Sequence, residues 1–194
     1  MADNLGISRG IFLSGDNILA RSHEIPKIKK AIKLAILQVR FVSVYSKHLQ
    51  GEKMFSLDPV LEADTANIGE FDLSLVLLSK DANYPWAILV PKRQSVSEIF
   101  QLSALDQQRL IAESSCLARA LTEIFTPDKL NIAAIGNAVN QLHVHHVCRY
   151  RHDACWPSPV WGQRPPLPYQ DQLLNKLIHQ LRTELLRQTK VKFV

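Results

Sequence analysis

The sequence lacks any apolar run of the roughly 18–20 residues that a membrane-spanning helix needs. Its first twenty residues mix Asp, Asn, Ser and Gly with apolar residues, whereas a secretory signal has a continuous apolar segment. Cysteine is scarce: Cys116, Cys148 and Cys155 are odd in number and widely spaced, which argues against a disulfide framework and indicates a reducing compartment. We therefore predict a cytoplasmic protein with no membrane span.

A surplus of positive charge is also missing from most of the chain. The formal net charge is +5, but residues 1–53 hold nine basic and four acidic side chains and so account for all of it. The rest of the chain carries equal numbers of basic and acidic residues. Because the basic balance is confined to one end, it does not indicate nucleic-acid binding, and we predict no nucleic-acid partner.

Residues 1–53 are predicted to form a basic N-terminal extension that is partly disordered or helical. Three glycines lie within residues 1–25, whereas residues 26–40 place apolar side chains at helical spacing with basic ones between them. A basic amphipathic helix of this kind binds a membrane surface or a partner, packs on the neighbouring domain, or belongs to a disordered tail. A further alternative is that translation starts at Met54.

From residue 54 onward the pattern becomes regular. Apolar residues typical of strands occur in four segments, at 71–78, 86–90, 130–135 and 139–149. Helical spacing predicts a short helix at 60–66, a long helix that begins at Ser103, and a last helix at 170–188. Strands joined by short turns pair antiparallel, and helices then cover one face. Residues 54–194 are therefore predicted to form an α+β domain, with an antiparallel β-sheet of about five strands, a long helix and a C-terminal helix.

Three of the seven histidines fall within residues 141–149, which read Gln-Leu-His-Val-His-His-Val-Cys-Arg. The β-branched valines favour an extended backbone, and side chains on a strand alternate between its two faces. Gln141, His143 and His145 would then share one face, and His146 would lie on the other. Two imidazoles beside a carboxamide predict a functional site.

One interpretation of this stretch is a metal site, in which His152, Cys148 or Cys155 would join His143 and His145. Against it, Cys148 would lie on the opposite face, and the sequence has no compact Cys-x-x-Cys or His-Glu-x-x-His pattern. We predict neither a metal nor another cofactor. A second interpretation is structural, with polar side chains on a strand that merely satisfy one another.

The third interpretation is a histidine nucleophile. A neutral imidazole, with a reference pKa of about 6.5, attacks phosphorus without first losing a proton, provided that an acceptor holds its other ring nitrogen. Donors must also surround the phosphate oxygens. The backbone N–H groups of the Gly136-Asn137 turn and the side-chain amides of Asn137 and Gln141 are close enough in sequence to do so. An aligned histidine pair after such a turn favours this interpretation over the structural one.

The stretch 141–147 resembles the signature of the histidine triad (HIT) family, His-φ-His-φ-His-φ-φ, where φ is apolar. Residues 130–137 are similar to the family's strand and loop before the signature, and residues 84–93 to an earlier strand that ends in Pro-Lys-Arg. The order of the strands and the long helix agrees as well. The resemblance covers roughly residues 55–164 and implies a HIT-like fold for residues 54–194.

The resemblance implies an enzyme that hydrolyses or transfers nucleotidyl groups, from a nucleoside phosphoramidate, a dinucleoside polyphosphate or a similar α-phosphate ester. His143 would be the nucleophile that forms a nucleotidyl-histidine, and His145 would hydrogen-bond phosphate or assist the leaving group. Gln141 would complete the catalytic row in place of the first signature histidine. Several HIT proteins pair through their sheets and long helices, so a homodimer is also implied.

The residues expected to bind nucleotide or phosphate are Asn131, Gly136, Asn137, Trp86 and Trp156. Trp156 begins a Trp-Pro segment similar to one that follows the signature in some members. Its ring would cover the pocket or stack on a base. Alternatively, the tryptophans of this segment pack the last helix onto the sheet.

The sequence departs from the family pattern at three positions. Gln141 keeps hydrogen-bonding ability but carries no titrating proton. Trp86 stands where a family histidine on the earlier strand would align, and Ala138 where many members have a small hydroxyl residue. The changes at Gln141 and Trp86 shorten the polar relay behind the nucleophile, and Ala138 removes one possible phosphate donor. A catalytically weak or inactive nucleotide-binding or interaction module is therefore the alternative to an active enzyme.

Overall fold

The computed structural model describes residues 55–188 and 192–194. The predicted N-terminal extension and the alternative start at Met54 lie outside the described residues. In the described part the chain forms helices α1 (Pro59–Asp64), α2 (Ala104–Phe125) and α3 (Asp171–Arg187), with a short 3-10 helix at Ile99–Gln101. The strands are β1 (Thr65–Glu70), β2 (Ser74–Ser79), β3 (Trp86–Pro91), β4 (Lys129–Ala133) and β5 (Val144–Arg149).

The strands form one sheet in the order β1-β2-β3-β5-β4, and all neighbouring pairs are antiparallel. The predicted α+β class, five-stranded antiparallel sheet, long helix and C-terminal helix are confirmed. Strand β5 lies inside the sheet, between β3 and the edge strand β4. Its position places the histidine stretch beside Trp86 of β3.

Side-chain alternation gives the sheet two different faces. One face packs on α2 and α3 through a large apolar core that includes Val144 and Cys148 of β5 and Leu117 and Leu181 of the two helices. The opposite face carries a smaller apolar cluster, to which Leu61 of α1 and Ile88 of β3 belong. Helices α2 and α3 thus cover one face, as predicted, whereas α1 packs on the other.

Besides shifts of a few residues at the ends of β2 and β4, the strands differ from the sequence-based expectation in two places. Strand β1 was not among the four predicted segments, because its residues 65–70 lack a clear apolar alternation and include Gly69 at a bulge. A Cβ at Gly69 would lie 2.5 Å from the ring of Phe193 and 2.5 Å from the carbonyl oxygen of Val194, so the absent side chain lets the C-terminal residues pair beside β1. Strand β5 begins at Val144 instead of residue 139, because residues 138–143 follow an irregular path into the strand.

Candidate active site

A cavity of about 400 Å³ lies on the sheet face opposite α2 and α3. Helix α1, the loop 135–139, two tryptophans and two histidines are among the parts of the chain that line it. Among the sequence-predicted site residues, the structure brings five together there: Trp86, Gly136, Asn137, His143 and His145. A second cavity of about 360 Å³ adjoins the first and shares Trp86 with it.

His143 lies immediately before β5 and is buried, with 6% of its surface exposed. Its Nδ1 is 2.7 Å from the backbone carbonyl oxygen of Gln141. A carbonyl can only accept, so Nδ1 must carry the hydrogen and donate it. The second ring nitrogen, Nε2, then keeps its lone pair in a side chain that lines the cavity, which is the arrangement that a histidine nucleophile requires.

His145 receives a hydrogen bond from Trp86, whose indole Nε1 is 3.0 Å from Nδ1 of the imidazole. An indole N–H donates and never accepts, so this contact requires an unprotonated Nδ1 and places the hydrogen of the neutral ring on Nε2. Burial, with smaller contributions from His143 and His146, lowers the pKa of His145 to about 3. His145 is therefore a neutral donor near physiological pH.

The rings of the site pack edge to face. The centroids of His143 and His145 are 4.7 Å apart, and Trp86 lies 5.2 Å from His145. Trp161 joins this cluster, with its ring centroid 5.8 Å from His145 and 5.9 Å from Trp86. Sequence reasoning had not assigned Trp161 to the site, although it belongs to the same Trp-Pro segment as Trp156.

His146 lies on the opposite face, in agreement with the predicted alternation. Its Nδ1 is 3.2 Å from the carbonyl oxygen of Val144, which can only accept, so Nε2 accepts the hydroxyl hydrogen of Ser114 on α2 at 2.7 Å. This histidine is fully buried, and burial lowers its pKa to about 4. His146 therefore ties β5 to α2 and lies outside the cavity.

These two neutral histidines should make the stability depend on pH. The pKa values of His145 and His146 are about 3 and about 4 in the folded protein, whereas an unfolded histidine titrates near 6.5. Between these values the unfolded chain binds more protons, so the free energy of unfolding falls as the pH falls. Each histidine contributes up to about 1.4 kcal/mol per pH unit, so we expect a loss of about 2–3 kcal/mol per pH unit for the pair between about pH 6 and about pH 4, measured by urea unfolding.

The His146→Gln variant provides the comparison, because an amide oxygen can still accept from Ser114 but does not titrate. Its stability should decrease less steeply over the same range. The exposed His152, replaced by Gln, should leave the slope unchanged. An identical slope for His146→Gln and the wild type would contradict a contribution from His146.

The side chain of Gln141 points away from the cavity. Its Nε2 donates to the carbonyl oxygen of Ser56, and its Oε1 accepts from the backbone N–H of Asp58, both at 2.9 Å. Gln141 therefore contributes its backbone carbonyl to His143 and its side chain to the segment that leads into α1. The expected row of three side chains facing the substrate is reduced to His143 and His145.

Asn131 and Trp156 surround Arg149 and do not line the cavity. The side-chain oxygen Oδ1 of Asn131 accepts a hydrogen bond from the Arg149 guanidinium at 2.8 Å. The Trp156 ring centroid is 5.8 Å from the same guanidinium. Asp153 completes the surroundings with two hydrogen bonds of 2.8 and 2.9 Å to the same group. These residues form a buried polar support at the far end of β5.

The cavity walls come largely from segments that the histidine pattern does not indicate. Helix α1 contributes Val60, Leu61 and Asp64. The loop 135–139, which follows β4, contributes Gly136 with a φ of +67°. That left-handed backbone favours glycine and turns the chain between β4 and the histidine stretch. Asp64 is the only formally charged side chain that lines the cavity in the described part of the chain.

Within residues 55–188 and 192–194, no group of three or more His, Cys, Asp or Glu side chains is arranged to hold a metal ion. His152, one of the ligands considered from sequence, lies against the ring of Tyr150. The same residues contain no helix whose length and apolar character would allow it to cross a membrane.

Comparison with known proteins identifies close relatives. A sequence model of the HIT domain matches residues 60–152. A histidine triad protein from Bradyrhizobium japonicum is 48% identical, and the superposition covers 68% of this chain and 98% of that protein with a TM-score of 0.67. A histidine triad protein from Marinobacter aquaeolei VT8 is 46% identical, with 69% and 98% covered and a TM-score of 0.67.

A third solved structure, a histidine triad protein from Sinorhizobium meliloti 1021, is 38% identical over 67% of this chain and 96% of its own, with a TM-score of 0.66. The search of curated proteins gave no match. The relatives thus agree in fold with the described domain over nearly their whole length.

Proposed function

The chain belongs to the histidine triad (HIT) family, and on that basis we propose that it is a nucleotide hydrolase or nucleotidyl transferase that works through a nucleotidyl-histidine intermediate. HIT domains generally bind nucleotides. The observation that carries the proposal is the hydrogen bond from His143 Nδ1 to the Gln141 carbonyl oxygen, which leaves Nε2 free to attack.

In the first step, Nε2 of His143 attacks the α-phosphorus of the substrate. A P–N bond to His143 forms, and the bond from phosphorus to the leaving group breaks. The leaving group departs with the electron pair of that bond and takes a proton from water. In the second step, water or another acceptor attacks phosphorus, the P–N bond breaks with its electron pair returning to Nε2, and the proton of the attacking group neutralises the hydroxide formed in the first step.

His145 acts in these steps as a hydrogen-bond donor. Its Nδ1 is occupied by the Trp86 indole, so its Nε2–H is the group that can reach a phosphate or leaving-group oxygen. Loss of that hydrogen would leave an anionic imidazolate, which is far too basic to form. His145 therefore stabilises developing negative charge and does not supply the proton itself.

A second candidate function is a nucleotide-binding or interaction module with little catalysis. The absence of Lys and Arg from the cavity lining of the described chain favours it, because cationic groups usually stabilise charge on a transferring phosphoryl group. The Gln141 side chain, engaged with Ser56 and Asp58, provides no direct compensation.

Adenosine 5′-phosphoramidate and a diadenosine polyphosphate, each labelled at the α-phosphate, separate the two functions. An enzyme releases labelled AMP and, after a rapid acid-free quench, carries label on a histidine peptide. A module is stabilised against heat by AMP, in proportion to its concentration, without release of product. Failure of both turnover and nucleotide binding would reject both candidates.

We also propose that the protein is a cytoplasmic homodimer that pairs at the β4 edge. Ile132 of β4 is 49% exposed, and it lies opposite His146 on the face that packs on α2. Ile111 of α2 is 65% exposed and lies one turn before Ser114, the partner of His146. Among the described residues no strand pairs with the outer side of β4, and an edge strand in a domain that also exposes isoleucines is suited to a second copy.

The paired Ile111→Lys and Ile132→Lys substitutions should convert the dimer to a monomer in light scattering coupled to gel filtration. A lysine at the comparably exposed Leu105, in the first turn of α2, is the control. A wild-type chain that elutes as a monomer at high concentration would refute the dimer.

A further inference from the structure

Gln141 connects two parts of the site that are distant in sequence. Its backbone carbonyl oxygen holds the Nδ1–H of His143, while its side chain holds residues 56 and 58 across a separation of more than eighty positions. The family signature has a histidine at this place. The contacts of the Gln141 side chain with residues 56 and 58 therefore could not be inferred from the signature.

The segment that Gln141 holds leads directly into a wall of the cavity. Asp58 is the N-cap of α1, and its carboxylate accepts from the N–H of Val60 at 2.9 Å. Val60, Leu61 and Asp64 of the same helix line the cavity that contains His143 and His145. Any displacement of Asp58 would move this wall relative to the histidines.

Helix α1 is held at its C-terminal end by Lys80, whose Nζ and backbone N–H donate to the carbonyl oxygens of Ala63 and Asp64. It has six residues, too few for a helix to be stable in isolation, and only Leu61 among them is buried. Its N-terminus is held by the Asp58 cap and by the two hydrogen bonds from Gln141. The Gln141 side chain thus fixes the first turn together with the packing of Phe55 and Leu57 on the apolar cluster around Leu61.

We propose that Gln141 is a positioning residue that fixes α1 as the substrate-binding wall and so sets substrate affinity, while its backbone carbonyl independently orients His143. This inference rests on the proposed function. It separates two roles within one residue: the side chain governs binding, and the main chain governs the nucleophile.

The chemistry of the contact explains why an amide serves here. Gln141 must donate to a carbonyl oxygen and accept from a backbone N–H at the same time. A carboxylate lacks the donor, whereas an imidazole has both a donor and an acceptor only in its neutral form and loses the acceptor when it is protonated. The amide supplies both and does not titrate, so the wall remains in place as the pH changes.

The test compares Gln141→Leu, which removes both bonds at similar volume, with Gln141→Glu, which keeps only the acceptor for Asp58. Gln107→Leu is the matched control, because Gln107 is also half-buried and donates to the carbonyl oxygen of Leu102 at 2.8 Å, on α2. Three quantities are measured: hydrogen exchange of peptides covering residues 55–64, Kd for AMP, and kcat and KM for adenosine 5′-phosphoramidate.

Gln141→Leu should accelerate exchange in residues 55–64 and raise both Kd and KM by about tenfold, with kcat within about threefold of wild type. Gln141→Glu should fall between wild type and Gln141→Leu, and Gln107→Leu should match wild type. A fall in kcat with unchanged KM would overturn the proposal, because the side chain would then act on the chemistry. Unchanged exchange and unchanged Kd in Gln141→Leu would also overturn it.

The outcomes distinguish this inference from the proposed function. If the wild type binds AMP without turnover, the enzymatic function fails, while exchange and Kd still decide the role of Gln141. If the wild type does not bind AMP either, the affinity role is overturned together with the proposed function.

Discussion

Replacing His143 with alanine is expected to lower the rate of nucleotidyl transfer on the order of 10⁴-fold or more, because the variant has no group that can form the covalent intermediate. The neighbouring His145 cannot substitute, since its Nδ1 accepts from Trp86 and its pKa lies near 3. The measurement is release of AMP from adenosine 5′-phosphoramidate at saturating substrate. The label on the histidine peptide should vanish together with the activity.

The exposed His152, replaced by alanine, is the control for loss of any imidazole. That variant should keep wild-type activity, since His152 is outside the cavity and contacts Tyr150. AMP should bind to His143→Ala within a few-fold of wild type, because His143 is one of many lining residues and the other walls are unchanged. Substantial turnover by His143→Ala would assign the nucleophile to another group.

Replacing Asp153 with alanine is expected to reduce the free energy of unfolding by about 3–5 kcal/mol, since it leaves the Arg149 charge buried without a counter-ion. The two side chains are 8% and 1% exposed, and Arg149 donates two hydrogen bonds to the carboxylate. Urea unfolding of the wild type and the variant measures the difference. A loss below about 1 kcal/mol would contradict the prediction.

Two further variants isolate the cause. Arg149→Met combined with Asp153→Ala removes the stranded charge as well and should recover part of the lost stability. Arg187→Gln breaks an ion pair with Glu184 in which the Arg187 side chain is 67% exposed. This substitution should change stability by less than about 1 kcal/mol. If the double variant is as unstable as Asp153→Ala, lost packing is the main cause.

The same pair contributes a separate effect at low pH. Hydrogen bonds from Arg149 lower the pKa of Asp153 to about 2, below the value of about 3.9 for an unfolded aspartate. Its contribution is therefore complete above about pH 4 and is lost as the pH falls toward 2. The buried histidines act mainly above pH 4, but His145, with a pKa of about 3, overlaps Asp153 below that value, so comparison with Asp153→Ala separates the two effects.

The placement of the two site histidines could be predicted from sequence because it depends on local geometry. Alternation along a strand puts His143 and His145 on one face and His146 on the other, and no distant contact is needed to know it. Val144 and Val147 favour the strand, and alternation then places both histidines on the same face of the sheet. The fold class followed from the same local patterns.

The surroundings of the histidines could not be predicted in the same way. Gln141 lies before the regular part of β5, so strand alternation does not determine where its amide points, and its partners are more than eighty residues away. Trp156 and Trp161 lie in one loop, and only the path of that loop decides which ring reaches the cavity. Sequence composition contains no information on that path.

Trp86 also determines which ligands the site can hydrogen-bond. Its N–H to His145 fixes the direction of a short hydrogen-bond chain, so that the imidazole presents a hydrogen-bearing nitrogen to its next neighbour. An atom that occupies that position must offer a lone pair, and an ammonium group there would oppose hydrogen to hydrogen. Two compounds of equal size and charge would then differ in affinity by which atom bears the hydrogen, and an inhibitor of this cavity should place an acceptor opposite His145.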